Sequence, residues 1–282
     1  MIKRGLILEG GAMRGLFTAG VMDVLMENRI DFDGAIGVSA GAAFGVNYKS
    51  KQIGRVLRYN KKYVRDKRYC GFRVLLKTGD IYSAKFCYDE IPNKLDIFDF
   101  DTYENNPMEF YTVLTDIETG EAVYHKYEGR SDHGFDWVRA SASMPLVSKI
   151  VEIDGHKYLD GGVADSIPVK HFESLGYNRN VAILTQSDSY VKQRNKLIPL
   201  AKIKYKKYPK LVETMANRHL VYNDTLTYVK NKEQAGDLFV IRPEKKLPVS
   251  RVEKDPQKLE LAYQIGRETA LKRLDELIEY LK

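Results

Sequence analysis

Gly5-Leu-Ile-Leu-Glu-Gly-Gly-Ala-Met-Arg-Gly15 decides how the rest of the chain is read. It starts as a short apolar run that stops at glycine, the pattern of a buried strand. Over residues 15–28, Leu16, Phe17, Gly20, Val21, Val24 and Leu25 recur at helical spacing. Residues 32–38 read as a second short strand, and 39–46 as a small-residue helix that begins at once. Further strands are expected at 110–115, 122–126, 157–159, 180–185 and 238–242. A last helix is expected at 256–281, with Leu259, Ala262, Tyr263, Gly266, Ala270, Leu271, Leu274 and Leu277 facing the core. Strands alternating with helices indicate an α/β sandwich with a largely parallel central sheet. No repeat, low-complexity tract or Pro/Gly linker interrupts the sequence, so 1–282 reads as a single domain. Its core is expected at about 3–185, a helical, polar and basic segment capping the sheet edge at about 190–235, and the last strand and C-terminal helix at 236–282.

The 282 residues are 44% apolar and 29% charged, ordinary globular usage that excludes disordered and collagen-like classes. The longest apolar runs are only a few residues, far short of the roughly 20 a membrane-spanning helix needs. Glu9 interrupts the N-terminal apolar stretch before a secretory signal can develop. Two cysteines, Cys70 and Cys87, make no disulfide framework and lack metal-ligand spacing, so a cytoplasmic setting is expected. The net charge of +7 is concentrated. Residues 55–68 hold seven basic residues and one acid, and residues 192–210 hold eight basic residues and no acid. Such blocks suit a surface that meets something anionic, or else a solvated lysine-rich face.

Gly37-Val-Ser-Ala-Gly41 carries the strongest chemical signal. Between a strand and a helix, G-x-S-x-G sets serine on a sharp turn whose flanking glycines avoid clashes. Without chemistry it would be a glycine-rich turn. The loop Glu9-Gly-Gly-Ala-Met-Arg-Gly15 aims backbone N–H groups outward, where they can hold phosphate or a developing oxyanion. A dinucleotide site would need glycine where Ala12 stands, with Asp31 or Asp33 as its ribose-binding acid, and no Gly-Lys-Ser/Thr follows to make a Walker loop. Tyr158-Leu-Asp-Gly-Gly-Val163 puts Asp160 at a strand end, either as a site carboxylate or as a plain Asp-Gly turn. Ala140-Ser-Ala-Ser-Met-Pro145 is a small-residue segment able to pack beneath such a site. None of His125, His133, His156, His171 and His219 lies in a context that marks a catalytic base, so a Ser39–Asp160 pair fits the sequence better than a triad.

Glycine-rich loop, G-x-S-x-G and Asp-Gly-Gly, in that order, resemble the patatin-like phospholipase family in its bacterial members. Residues 10–15, 37–41 and 160–162 carry the likeness, which extends over about 3–185. The resemblance implies a three-layer α/β/α fold and hydrolysis of fatty acyl esters, with Ser39 as nucleophile and Asp160 as general base. It implies an oxyanion hole from Gly10, Gly11, Ala12 and Arg14, with Gly15, Gly37, Gly41, Gly161 and Gly162 as motif residues. Alanine at 12 is compatible with the hole if its φ is negative. No metal or cofactor is expected. The implied partner is an acyl-lipid substrate, with peripheral contact to an anionic membrane at the inner face. Tyr59, Tyr63 and Tyr69 in the first basic stretch, and Tyr205, Tyr208, Leu197, Ile198, Leu200 and Ile203 in the second, are the side chains expected at that interface. No nucleic-acid partner is expected, and the sequence leaves the oligomeric state open. The competing readings are a nucleotide-binding oxidoreductase, a catalytically weak lipid- or protein-binding module on the same scaffold, and a nucleic-acid binder that rests only on the basic stretches.

Overall fold

Leu6, Ile7 and Leu8 are all fully buried, as a strand covered on both faces requires. They belong to β1 (Arg4–Leu8) in a computed structural model that describes residues 2–282. The chain continues through α1 (Gly15–Glu27), β2 (Gly34–Val38), α2 (Ala40–Lys49), α3 (Arg55–Tyr63), α4 (Phe72–Thr78), a π-helix at Phe86–Leu95 and α5 (Phe100–Asn105). Next come β3 (Glu109–Asp116), β4 (Ala122–Lys126), α6 (Asp136–Ser141), β5 (Val151–Ile153), β6 (His156–Asp160), α7 (Val169–Ser174) and β7 (Arg179–Ile183). The last elements are α8 (Ile198–Lys204), α9 (Pro209–Gln234), β8 (Leu238–Ile241), α10 (Pro256–Lys272) and α11 (Leu274–Tyr280).

The layers follow from alternation along the strands. Leu6 and Leu8 join the core that holds Leu16, Phe17 and Tyr263, on the side of α1, α2 and α10. Ile7 joins the opposite core, with Ile36, Phe172 and Tyr222, on the side of α7 and α9. Strands β3, β2, β1, β7 and β8 lie side by side, and each of these neighbouring pairs is parallel. β4, β6 and β5 add antiparallel pairings. The three-layer α/β/α architecture and the mostly parallel sheet are therefore present.

β3 sets the register that matters. On one side its Leu114 pairs with Val123 of β4. On the other side β2 runs out at Val38, opposite Val113, and the next residue, Leu114, pairs with Asp160 at the end of β6. β2 and β6 thus meet end to end along one edge of β3, running in opposite directions.

Three expectations change. Residues 190–235 reach the edge strand β8 but cover more than the sheet edge. Tyr222 and Val229 of α9 pack on a sheet face with Ile7, Ile36 and Val240, because the buried side chains of this helix share one stripe. The single helix at 256–281 is two helices broken at Arg273, whose guanidinium reaches the Val240 carbonyl at 2.6 Å. β5 is an added strand, only three residues long and so hard to see in a pattern.

The N-terminal half and the C-terminal segment are joined by glycines. A Cβ at Gly20 of α1 would overlap the Tyr263 carbonyl, and one at Gly266 of α10 would overlap the Phe17 carbonyl. The two helices touch backbone to backbone along this crossing. Gly266→Val should therefore destabilise the protein by about 2–3 kcal/mol through overpacking. Thermal denaturation should register a Tm lower by roughly 5–10 °C, and an unchanged Tm would refute the close crossing.

Candidate active site

At the end of β2 the chain turns into α2 within one residue. A Cβ at Gly41 would meet the Leu8 carbonyl, so glycine lets the start of α2 press on β1. Ser39, in the turn, has φ 56° and ψ −119°, a region that costs a non-glycine residue about 1–3 kcal/mol. Its N–H donates to Ser141 Oγ at 2.9 Å, which fixes the turn. Its hydroxyl donates to Asp160 Oδ2 at 2.7 Å.

Asp160 is held on every side. The Gly162 N–H donates to its Oδ1 at 2.8 Å. Its own N–H donates to the Ser143 carbonyl at 2.8 Å, and its carbonyl accepts from Thr115 Oγ1 at 2.9 Å. Burial pushes the carboxyl above its ordinary range. The Arg218 guanidinium, the Ser39 hydroxyl and the Gly162 amide pull the other way without cancelling that rise. Gly161 is required here because a Cβ would collide with the Val113 carbonyl. The sequence does not mark Ser141, Ser143 and Thr115 as positioning residues, because segment 140–145 shows only small residues and these bonds join partners distant in sequence.

Residues 10–14 pass over the elbow. A Cβ at Gly10 would lie 2.9 Å from the Ser39 Cβ. Among the described residues the N–H groups of Gly10, Gly11 and Ala12 donate to no backbone carbonyl, so they remain available. The Arg14 N–H is spent on the Gly11 carbonyl at 3.1 Å, so of the four residues expected at the hole Arg14 offers no free amide. Arg14 lines the site cavity. Ala12 does not meet the condition set for it. Its φ is +49°, a left-handed value at the point where the loop reverses into the 3₁₀ turn at Ala12–Arg14, so its methyl is strained there while its N–H stays in the loop.

No histidine is bonded to Ser39 or Asp160. His125 bonds Asp132 and stacks on Trp137, His133 pairs with Asp154, and His156 and His171 stack with Tyr158 and Tyr124. His219 lines the site cavity, with Nδ1 turned back to the Ala216 carbonyl.

Two cavities share Ser39, Ala12 and Met144 as walls. One is narrow, about 90 Å³, and mostly apolar, with Phe44, Tyr59, Tyr88, Ile91, Pro92 and Val138 among its lining residues. The π-helix supplies several of these. The other is wider, about 420 Å³, and more polar than the first, and Asp160 opens onto it with Arg14, Lys192, Arg218 and Arg251. Among the described residues no group of three or more His, Cys, Asp or Glu side chains is arranged to hold a metal ion.

The basic stretches divide differently from the expectation. Arg55 is buried against Asn47 and Asp96, Arg58 pairs with Asp96, Lys61 with Glu260, and Arg68 with Asp66 and Glu90. Tyr59, Tyr63 and Tyr69 are buried, so this stretch offers no aromatic rim, and Lys62, Arg65 and Lys67 are its exposed basic residues outside these ion pairs. In the second stretch Ile198 and Tyr205 also turn inward. Leu197, Leu200 and Ile203 turn outward in a row at helical spacing, with Ile203 73% exposed. Residues 146–149 bridge this row to the 70–82 region. The Tyr205 hydroxyl accepts from the Leu146 N–H, and the Val147 carbonyl accepts from the Ile81 N–H. Phe72 and Leu76 of α4, there, are 70% and 73% exposed.

The chain matches known proteins at this point of its architecture. Residues 6–172, more than half of its length, match the family model for patatin-like phospholipase. The chain belongs to the patatin-like phospholipase family. Residues 208–282 match a domain of unknown function, DUF6363. An uncharacterized protein of Escherichia coli, YjjU, is 26% identical over 64% of this chain and 51% of its own. The lysophospholipase nte1 of Aspergillus niger is 29% identical over 61% of this chain and 11% of its own. The chain thus spans about half of the first relative and a small part of the second. Among solved structures, VipD from Legionella pneumophila superposes with a TM-score of 0.48 at 13% identity, over 98% of this chain and 67% of that one.

The strained φ at Ser39 gives a stability test that is independent of activity. Ser39→Gly and Ser39→Ala both lose the hydroxyl, but only glycine is at ease there. Ser39→Gly should be the more stable of the two by about 1 kcal/mol in thermal or urea denaturation. Equal stabilities would mean that the elbow is unstrained.

Proposed function

We propose that the chain is a serine acyl-ester hydrolase of the phospholipase or lysophospholipase type, working in lipid catabolism through a Ser39–Asp160 dyad. The observation that carries this reading is the 2.7 Å bond from Ser39 Oγ to Asp160 Oδ2 at a glycine-flanked elbow, in a chain of the patatin-like family. Ser39 Oγ attacks the ester carbonyl carbon and its proton passes to Asp160. The bond to the alcohol breaks as the alcohol oxygen takes that proton. Water, deprotonated by Asp160, then hydrolyses the acyl-serine, and the proton returns to Ser39. The N–H groups of Gly10, Gly11 and Ala12, with the Arg14 guanidinium nearby, stabilise the oxyanion. A carboxylate of ordinary pKa is a weak base for a serine hydroxyl, and the buried position of Asp160 makes it a stronger one. Direct contact removes the need for a histidine relay. The narrow apolar cavity suits the acyl chain. Residues 1–282 work as a single unit, in the cytoplasm and at the inner membrane face, a setting that the two unpaired cysteines fit.

Ser39→Ala should abolish ester hydrolysis and fluorophosphonate labelling, and Asp160→Asn should slow turnover by about 100-fold or more. Because Asp160 acts only when ionised, kcat/KM for a neutral soluble ester should rise with pH along a limb centred above its ordinary 3.8. A limb at or below that value, or a His219→Gln variant as inactive as Asp160→Asn, would overturn the dyad. A folded wild-type protein that takes no label would instead favour the binding-module reading.

The membrane contact is assigned to Leu197, Leu200 and Ile203 with Lys202, Lys206 and Lys207 around them, joined by Phe72 and Leu76. Exposed apolar side chains ringed by cations suit an anionic bilayer surface. Leu200→Asp/Ile203→Asp should weaken binding to phosphatidylglycerol-containing vesicles by more than about tenfold and spare hydrolysis of a soluble ester. Vesicle binding that survives the double variant would remove α8 from the interface.

A further inference from the structure

The wide cavity beside Ser39 holds more positive charge than the chain compensates. Arg14, Lys192, Arg218 and Arg251 line it, against two carboxylates, Glu9 and Asp160. Both acids are already engaged. Glu9 accepts from the Tyr222 hydroxyl at 2.5 Å and the Thr185 N–H at 2.6 Å, and Asp160 accepts from Ser39 and Gly162. Among the described residues none of the four cations makes an ion pair. The Nε atoms of Arg14 and Arg218 are buried without any hydrogen-bond partner, and Arg218 Nη2 reaches only Ser166 Oγ, at 3.4 Å. Buried guanidinium donors without acceptors are rare in folded proteins, because each forfeits its hydration. Lys192 reports the same imbalance. Burial, with the nearby charges of Arg218, Arg251 and Arg14, pushes its ammonium down to about 7.

We propose that this cluster is the binding site for the phosphate of the substrate, so that the preferred lipids are acyl esters of glycerol phosphate whose headgroup is net negative. This rests on the reading of Ser39 as an ester-hydrolysing nucleophile. In such a lipid the ester carbonyl and the phosphorus are separated by only a few bonds, and Ser39 stands in the wall common to the apolar and the cationic cavities. The acyl chain enters the first while the phosphate reaches the second. A choline-type headgroup is disfavoured. Its cation would meet four others, neither carboxylate is free, and the Tyr222 ring is already covered by Lys192 at 4.3 Å. Arg218 and Arg251 lie within residues 208–282, which gives that segment a role in choosing the headgroup.

The test uses the full chain and short-chain lipids below their critical micelle concentrations, which keeps the surface of α8 out of the measurement. Lysophosphatidate, lysophosphatidylglycerol, lysophosphatidylcholine and monoacylglycerol of one acyl length are compared in wild type, Arg251→Gln and Lys192→Gln. Arg251 is exposed, so its variant should fold even if the Lys192 variant does not. The two anionic lipids should be preferred, and each variant should reduce that preference about tenfold, mainly through KM. Equal kcat/KM for all four lipids, or variants that slow charged and neutral substrates alike, would overturn the proposal and leave the hydrolase reading intact. If no lipid is turned over, equilibrium binding decides. Lysophosphatidate that binds wild type and is lost in the variants would support the site while the hydrolase reading fails. Inorganic phosphate is the last arm. A Tm raised by phosphate in wild type only, with no preference among the lipids, would assign the site to free phosphate and overturn the lipid assignment.

Discussion

Everything at the site depends on two strands meeting end to end. β2 stops at Val38 opposite Val113, and β6 arrives from the other direction to stop at Asp160 opposite Leu114. The residue after one strand and the last residue of the other are thereby brought within a side chain's reach. The 2.7 Å bond between Ser39 and Asp160 follows from that register. A slip of one residue in either strand would turn its side chains to the opposite face. The strain stored at Ser39 is tolerable only because β3, the Ser141 hydroxyl and the start of α2 hold the turn from three sides.

A second constraint ties the C-terminal segment to this site. Glu9, at the end of β1, accepts from Tyr222 of α9, and α1 touches α10 through facing glycines. α9 covers one sheet face with its apolar stripe, and Arg218 on the same helix is turned into the cavity beside Asp160. One helix thus supplies core packing and an electrostatic wall. Removing it would uncover Ile7 and Ile36 and would also leave Asp160 without its cationic neighbour.

The charge of the protein is spent in three ways. Four of the seven basic residues of the first stretch, Arg55, Arg58, Lys61 and Arg68, are engaged in ion pairs with Asp96, Glu260, Asp66 and Glu90, and Lys62, Arg65 and Lys67 are exposed. The lysines of α8 and the turn after it are exposed around an apolar row. Four cations are gathered inside the cavity. In the last group Arg14 and Arg218 are the costly members, since burying charge without a partner opposes folding. The positive φ of Ser39 and Ala12, the raised Asp160 carboxyl and the unpartnered Nε atoms of Arg14 and Arg218 lie together around this cavity, while other positive-φ residues, such as Arg29 and Lys51, lie elsewhere.

Much of this was legible in the chain. Short apolar runs and helical spacing located most strands and the main helices, because a strand covered on both faces is apolar throughout and a helix buries one stripe. G-x-S-x-G and Asp-Gly-Gly were readable because glycine is demanded wherever backbones touch, as at Gly41 and Gly161. The sequence could not tell which of its basic residues would be paired, since Arg58 meets Asp96 and Lys61 meets Glu260 only after folding. Nor could it foresee the φ of Ala12, the hold of Ser141 on the elbow, or the convergence of Arg14, Lys192, Arg218 and Arg251. Spacing along the chain determines local conformation and which face is apolar. Contacts between residues a hundred or more positions apart belong to the tertiary structure, because strand register and helix placement alone decide which side chains share a cavity.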